Sequence, residues 1–349
     1  MARIFRLWNP SGFQGVIGSR RRYFEGWYFK LVSEDRGDVL AVIPGVACGE
    51  GDTEGATAFV QVIDGRTTRS AFVRYPLEEF CFSRKGFEIS VGPNRFSLTG
   101  VTLQIDHPEL FLEGRVEIDT PAPYPVRFFS PGVMGPFAFV PFMECYHAVV
   151  SMNHRLSGGL RLAWRALEET GGPIDLDGGA GYVEKDWGRS FPSSWIWTQS
   201  NHFDERRASI MVSVARIPWL GGFFTGFMAI LWVEGRFHTF ATYTGARLGS
   251  IVFTKGQVEI EIIDRRRRLL LRAYRAAHGI LLAPVEGRMD RRITESIDAT
   301  IEVSLRHDGN VVFDGRGEVA GLEVAGDVAE LLAGAGLAAG DELRSMTTG

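Results

Sequence analysis

Cysteine is scarce in this 349-residue chain, which has three copies, at Cys48, Cys81 and Cys145. The number is odd, the spacings are wide, and no pair has the short spacing of a metal knuckle. A disulfide scaffold is therefore a poor fit and a reducing compartment a good one. Long apolar runs are missing too. The most apolar window, 218–233, is broken by Gly221, Gly222 and Gly226. It falls short of the ~20 residues a membrane helix needs. The first ten residues lack the apolar core and small-residue cleavage site of a signal peptide. Nor is there an excess of basic charge: 38 Lys and Arg stand against 42 Asp and Glu, a net charge of -4. That argues against a dedicated nucleic-acid partner. The one basic run, Arg265 to Arg268, lies between two strand-like segments and suits a solvated hairpin cap. These absences describe a cytosolic, soluble protein. Peripheral contact with a membrane stays open as its way to collect a greasy ligand.

Several catalytic signatures are also lacking. No P-loop occurs, and no glycine-rich dinucleotide fingerprint joins a strand to a helix. Gly188-Arg-Ser-Phe lacks the second glycine of a nucleophile elbow. The seven histidines (His107, His147, His154, His202, His238, His278 and His307) are scattered without a tight ligand pair, so no metal is expected. Cys145 and His147 lie two apart. A thiol nucleophile is one reading of that pair and ordinary packing the better one.

Strand signals dominate what is present. Residues 257–263 alternate polar and apolar, and 269–274 suit their hairpin partner across the arginine turn. Segments 87–91 and 95–98 flank Gly92-Pro93-Asn94. Segments 227–233 and 237–243 flank Glu234-Gly235-Arg236. Segments 300–305 and 311–313 flank a turn with Asp308-Gly309 at its centre. Only 328–337 has a helical character, with one further turn at 77–80. Consecutive hairpins close most simply into barrels, and this length fits two of them in tandem. The expected organisation is all-β. It has an N-terminal barrel over 1–170, a C-terminal barrel over 171–326 and an Ala-rich tail over 327–349. The turn-rich segment 168–179 marks the boundary.

Two segments mix acids with aromatic rings. Alternation along a strand puts Tyr23, Glu25, Trp27 and Phe29 on one face and Phe24, Gly26, Tyr28 and Lys30 on the other. In the second segment Tyr182, Glu184 and Asp186 share a face. After a break at 188–192, so do Trp195, Trp197, Gln199, Asn201 and Phe203. Rings seek burial while acids and amides avoid it unless partnered, so a face carrying both suits the wall of a ligand cavity. A plain strand with Glu25 in solvent, or paired with an arginine, is the competing reading. For Glu184 the competitor is a salt bridge to a neighbouring Arg or Lys. A carboxyl kept neutral by apolar surroundings serves as a general acid, and ring faces stabilise a carbocation. That pairing suits protonation of an alkene. Paired carboxylates among tryptophans also suit a glycosidase, and aromatic platforms with amides suit a non-catalytic carrier.

Arg22 to Lys30 and Glu184 to Asn201 resemble the tocopherol cyclase family in content, order and separation, with weaker similarity from Leu282 to Gly326. The resemblance implies two lipocalin-like β-barrels. It implies cyclisation of a prenylated hydroquinone to a chromanol by proton addition, with no cofactor and no metal. A wider group of carotenoid hydratases has a Tyr-x-acid element before Trp-Gly. It matches Tyr182-Val-Glu184 ahead of Trp187-Gly188. By this resemblance Glu184 donates the proton and Tyr182 is its neighbour. In the reading we build on it, Tyr182, Trp195 and Trp197 shape the site and stabilise the cation. Gln199 and Asn201 orient the polar head. Asp186 and Glu25 are second acids or structural partners, and Trp27, Trp187 and His147 line the pocket. The partner expected is a lipophilic small molecule. A carrier, or a hydratase or cyclase acting on another isoprenoid or a polyketide, remains the alternative.

Overall fold

The computed structural model describes residues 6–15, 22–49, 56–165, 172–204, 207–254 and 256–337. The chain forms two compact units. The first comprises 1–191 with 279–293, and the second 192–278 with 294–349. Both are all-β, as the hairpin signals predict. Among the described residues no helix is long and apolar enough to cross a membrane.

The first unit is built on a 12-stranded antiparallel sheet. It starts as a meander: Arg69–Pro76, Thr57–Asp64, Val39–Cys48, then Tyr23–Val32. Next come Ala180–Gly188 and Cys145–Trp164, after which the order descends through Leu110–Asp119 and Gly100–Asp106 to Phe80–Phe82. Strands far apart in this order share one core. Ala71 and Val73 near one end pack in the same apolar cluster as Phe80 and Ile89 near the other. The sheet is therefore rolled around its interior in the manner of a lipocalin-like barrel. Close backbone approach tightens the roll. Gly158 has φ +99°, and a Cβ there would meet the Arg115 carbonyl oxygen at 2.4 Å. Residues 279–293 complete this unit. The Gln61 side chain donates to the Leu282 carbonyl (3.0 Å) and accepts from its N–H (2.8 Å).

The second unit is built on the other sheet, whose strands roll around their own cluster. The 257–263 segment behaves as its alternation demands. Val258, Ile260 and Ile262 point inward, while Glu259 and Glu261 pair with Arg272 and Arg268. At the predicted arginine turn, Arg267 pairs with Asp264 and Arg266 with Asp308. The helix Val328–Gly334 is capped by Asp327, whose carboxylate accepts the Ala329 N–H at 2.8 Å. It buries Leu331 and Leu332 in the core. The start of the Ala-rich segment is thus a core element, while 338–349 lie outside the described residues.

The units meet in sequence at 191/192 and not at 170/171. The described part of the turn-rich segment lies within the first unit, because Gly172–Asp175 pairs with Cys145–Trp164. Residues 166–171 lie outside the described set. The strand Ala180–Gly188 then enters the middle of the first sheet, between Tyr23–Val32 and Cys145–Trp164. Turn chemistry marks hairpins as readily as domain boundaries. Tyr23–Val32 and Ala180–Gly188, which carry Glu25 and Glu184, are consequently neighbours in one sheet.

Candidate active site

The ladder between Tyr23–Val32 and Ala180–Gly188 sets Glu25 opposite Trp187, Trp27 opposite Lys185, Tyr28 opposite Glu184 and Lys30 opposite Tyr182. Directly opposed residues share a face. One face therefore carries Glu25, Trp27, Lys185 and Trp187, and the other carries Tyr28, Lys30, Tyr182, Glu184 and Asp186. The alternation read from the sequence holds on both strands. The two buried glutamates, however, sit on opposite faces and do not form a common acid pair.

On the first face Glu25 is fully buried and bonded to Lys185, Oε1 to Nζ, at 2.6 Å. Its carboxylate also accepts the N–H groups of Gln14 (2.9 Å) and Gly15 (3.1 Å) and the Tyr23 hydroxyl. Lys185 Nζ donates to the Pro10 carbonyl (3.0 Å) and the Gly12 carbonyl (2.5 Å). It lies 5.0 Å from the Trp27 ring and 4.5 Å from the Trp187 ring. Trp27 Nε1–H donates to the Ser11 carbonyl at 2.8 Å. Burial pulls the Lys185 ammonium down to about 8, against the opposing effect of Glu25. Glu25, Lys185 and Trp27 thus hold the 6–15 segment against the sheet. Glu25, expected as a second acid or a structural partner, and Trp27 and Trp187, expected to line the pocket, all lie in this anchor. The partner of Glu25 is a lysine, where the plain-strand reading looked to solvent or an arginine.

The opposite face holds reactive groups in a chain. The Tyr182 hydroxyl donates to Glu184 Oε2 at 2.6 Å. His147 comes from the adjacent strand, where it is paired with Asp186. Its Nε2 lies 3.4 Å from Glu184 Oε2, in ion-pair range but outside hydrogen-bond geometry. Its Nδ1 bonds Asp186 Oδ1 at 2.9 Å. The side chains are 10%, 5% and 24% exposed for His147, Glu184 and Asp186, a graded path from interior toward surface. Burial alone would lower the imidazole, but Asp186 and then Glu184 outweigh it and hold His147 up to about 9. At neutral pH it is an imidazolium, set between the side chains of Asp186 and Glu184. Burial, and then the Glu184 charge, push the Tyr182 phenol well above its ordinary range, so it stays a neutral donor.

Cys145 lies at the edge of this group, its Sγ 3.8 Å from Asp186 Oδ1. Burial and the Asp186 charge push its thiol well above the ordinary value, so it is an inert neighbour. Gly188 closes the strand. It has φ +152°, and a Cβ would meet the Glu144 carbonyl oxygen at 2.3 Å. The donor atoms of His147, Glu184 and Asp186 lie within 4.8 Å of one another, close enough to surround a cation. His147 Nδ1 is engaged by Asp186 Oδ1, while Nε2 has no hydrogen-bond partner.

Trp195, Trp197, Gln199 and Asn201 belong to the other unit's sheet. Trp195 Nε1–H donates to Glu323 at 2.6 Å, and Gln199 donates to Asn201 at 3.3 Å. Trp197 stands opposite Glu323, and Glu323 opposite Glu295, so two buried acids share its face. Phe203 is a correction. The strand breaks at Asn201, and Phe203 turns into the core against Phe313. Four residues near the acids or indoles were missed: Tyr28, Lys30, Glu295 and Glu323. The first two follow from strand parity once the register is known. The glutamates lie more than ninety residues from Trp195, where no local pattern reaches.

Residues 132–326 match the family model described as tocopherol cyclase-like. A probable chloroplastic tocopherol cyclase of Oryza sativa subsp. japonica is 30% identical over 115 residues, covering 32% of this chain and 23% of that protein. The match thus spans about a quarter of the rice protein's length. The crystal structure of CghA superposes with a TM-score of 0.57 and 11% identity over 88% of this chain and 89% of that one. CghA with Sch210972 gives the same TM-score at 12% identity. At such identities the likeness speaks for the fold alone.

Two measurements test the two faces. Glu25→Gln leaves the buried Lys185 cation without its counter-charge and should cost about 3–5 kcal/mol of unfolding free energy in denaturant titrations. Replacing both, with Glu25→Leu and Lys185→Met, should recover most of that loss. A single-variant cost below about 1 kcal/mol would place the pair among weak surface bridges. For His147, raised in the folded state, the stabilising contribution is complete below about 6.5 and disappears as pH rises through about 9. The stability difference between wild type and His147→Gln should shrink across that window. An NMR titration of the imidazole with a midpoint near 6.5 would show that the carboxylates do not hold it.

Proposed function

The chain belongs to the tocopherol cyclase-like family, and on that premise we propose that it is an acid-catalysed cyclase. Its substrate is a prenylated hydroquinone or a related isoprenoid, and its product a chromanol-type ring. The observation that carries the proposal is the buried chain Tyr182–Glu184–His147–Asp186 on a single sheet face.

Glu184 in its acid form gives a proton to one carbon of the prenyl double bond, and the cation develops on the more substituted carbon. The carboxylate left behind faces the Tyr182 hydroxyl and the His147 imidazolium, both of which favour the anion. The substrate's phenolic oxygen then attacks the cation, forming the C–O bond. Its O–H proton returns to Glu184, so atoms and charge balance and the reaction is an isomerisation. No electron pair leaves the substrate, and the chemistry consumes no redox cofactor. Asp186 is a positioning residue, keeping Nδ1 of His147 protonated and its ring turned toward Glu184. Tyr182 and Tyr28 flank the acid on its face, where their rings suit a developing cation. The proposal rests on the first unit's residues. Trp195, Trp197, Gln199 and Asn201 are assigned no step.

Purified protein incubated with a geranylgeranyl hydroquinone under reducing conditions in D2O should yield an isomer carrying one non-exchangeable deuterium. Glu184→Gln should lower the rate by about 10²–10⁴-fold. Substrate recovered unchanged yet bound equally by wild type and variant would replace the cyclase with a carrier.

A further inference from the structure

The strands Val126–Arg127 and Ser130–Pro131 form a two-rung antiparallel ribbon whose turn is Phe128-Phe129. A hairpin turn in water ordinarily takes Gly, Asn, Asp or Ser. Here Phe128 is 69% exposed and Phe129 79%, with Val126, Phe139 and Phe142 also exposed nearby in sequence. Arg127 is the single charged residue between 121 and 143. The rings are held in place. The Trp8 indole donates to the Phe128 carbonyl at 3.1 Å, stacks on the Phe128 ring at 5.6 Å and lies 5.9 Å from Phe139. Phe128 and Phe129 meet edge to face at 4.9 Å.

We propose that this aromatic ledge inserts into a lipid bilayer and seats the first unit on a membrane surface. Rings projecting from a turn fit a fluid better than a matching protein face, and with Arg127 the one charge beside them the cost of entering acyl chains is small. A Trp at the base of exposed Phe rings fits the headgroup boundary, where indoles are favoured. The choice of a lipid surface as occupant rests on the lipophilic substrate proposed above. The ledge is also tied to the sheet: the Tyr146 hydroxyl donates to the Val140 carbonyl at 2.5 Å, and the Tyr146 ring stacks on Trp187 on the anchor face.

Flotation with phosphatidylcholine vesicles tests this without substrate or turnover, so it succeeds or fails independently of the cyclase reading. Wild type should float, and high salt should not release it, because the attraction is apolar. Phe128→Ser with Phe129→Ser should weaken partitioning about tenfold or more while leaving the thermal unfolding midpoint in place. Trp8 emission, isolated by comparison with Trp8→Phe, should shift blue on vesicle addition. Wild type that ignores vesicles, or a double variant that floats equally well, overturns the proposal. So does binding that requires anionic lipid and collapses in salt. Self-association lost in the variant, without vesicle binding, would assign the ledge to a second copy and overturn it as well.

Discussion

A charge removed from water must find its counter-charge within reach, and the strand Ala180–Gly188 carries this requirement on both of its faces. It lies between two other strands, so neither edge is free and much of both faces is covered. Glu184, Lys185 and Asp186 follow one another along it, and alternation sends the lysine one way and the acids the other. Each face must therefore be neutralised separately. Lys185 meets Glu25 from one neighbouring strand, and the acids meet His147 from the other. Burying these groups unpaired would cost several kcal/mol apiece. The placement of both neighbours is tied to this strand.

The two solutions differ in what they leave over. Around Glu25 and Lys185 every donor and acceptor finds a protein partner, and the surplus bonds go to backbone groups of residues 10–15. Around Glu184 the groups are in excess. One imidazolium faces two acidic side chains, a phenol donates into the same group, and Nε2 is close to Glu184 without a formed hydrogen bond. A saturated network makes a structural lock, whereas an incompletely saturated one can accept or release a proton.

Much of this was legible in the sequence. Period-two alternation identified the faces of both aromatic-acid segments, and Asp-Gly and Gly-containing turns located the hairpins. What local pattern could not supply was register. Glu25 and Glu184 looked like two versions of one motif because each is an acid among rings. Only the pairing of Trp27 with Lys185 shows that they face apart. The domain boundary near 170 was misplaced for a related reason. Gly and Asp in 172–179 signal a reversal of the chain, and a reversal inside a sheet looks locally like one between barrels. Phe203 was assigned to the wall because alternation was carried through Asn201, where the strand breaks.

The expected origin of the acid's strength also changes. A carboxyl kept neutral by apolar walls is a ready proton store but a reluctant donor, because its anion is left unsupported. Protonating an alkene needs the opposite bias, an anion that is welcome once formed. The imidazolium of His147, balanced by Asp186, supplies this bias at 3.4 Å from Glu184, and the Tyr182 hydroxyl adds to it at 2.6 Å. With the proton on Glu184, the four groups together carry no net charge. After the proposed transfer they would carry one negative charge, facing the cation formed on the substrate. Charge separation is thereby kept local, in surroundings where the attraction between the two is strongest.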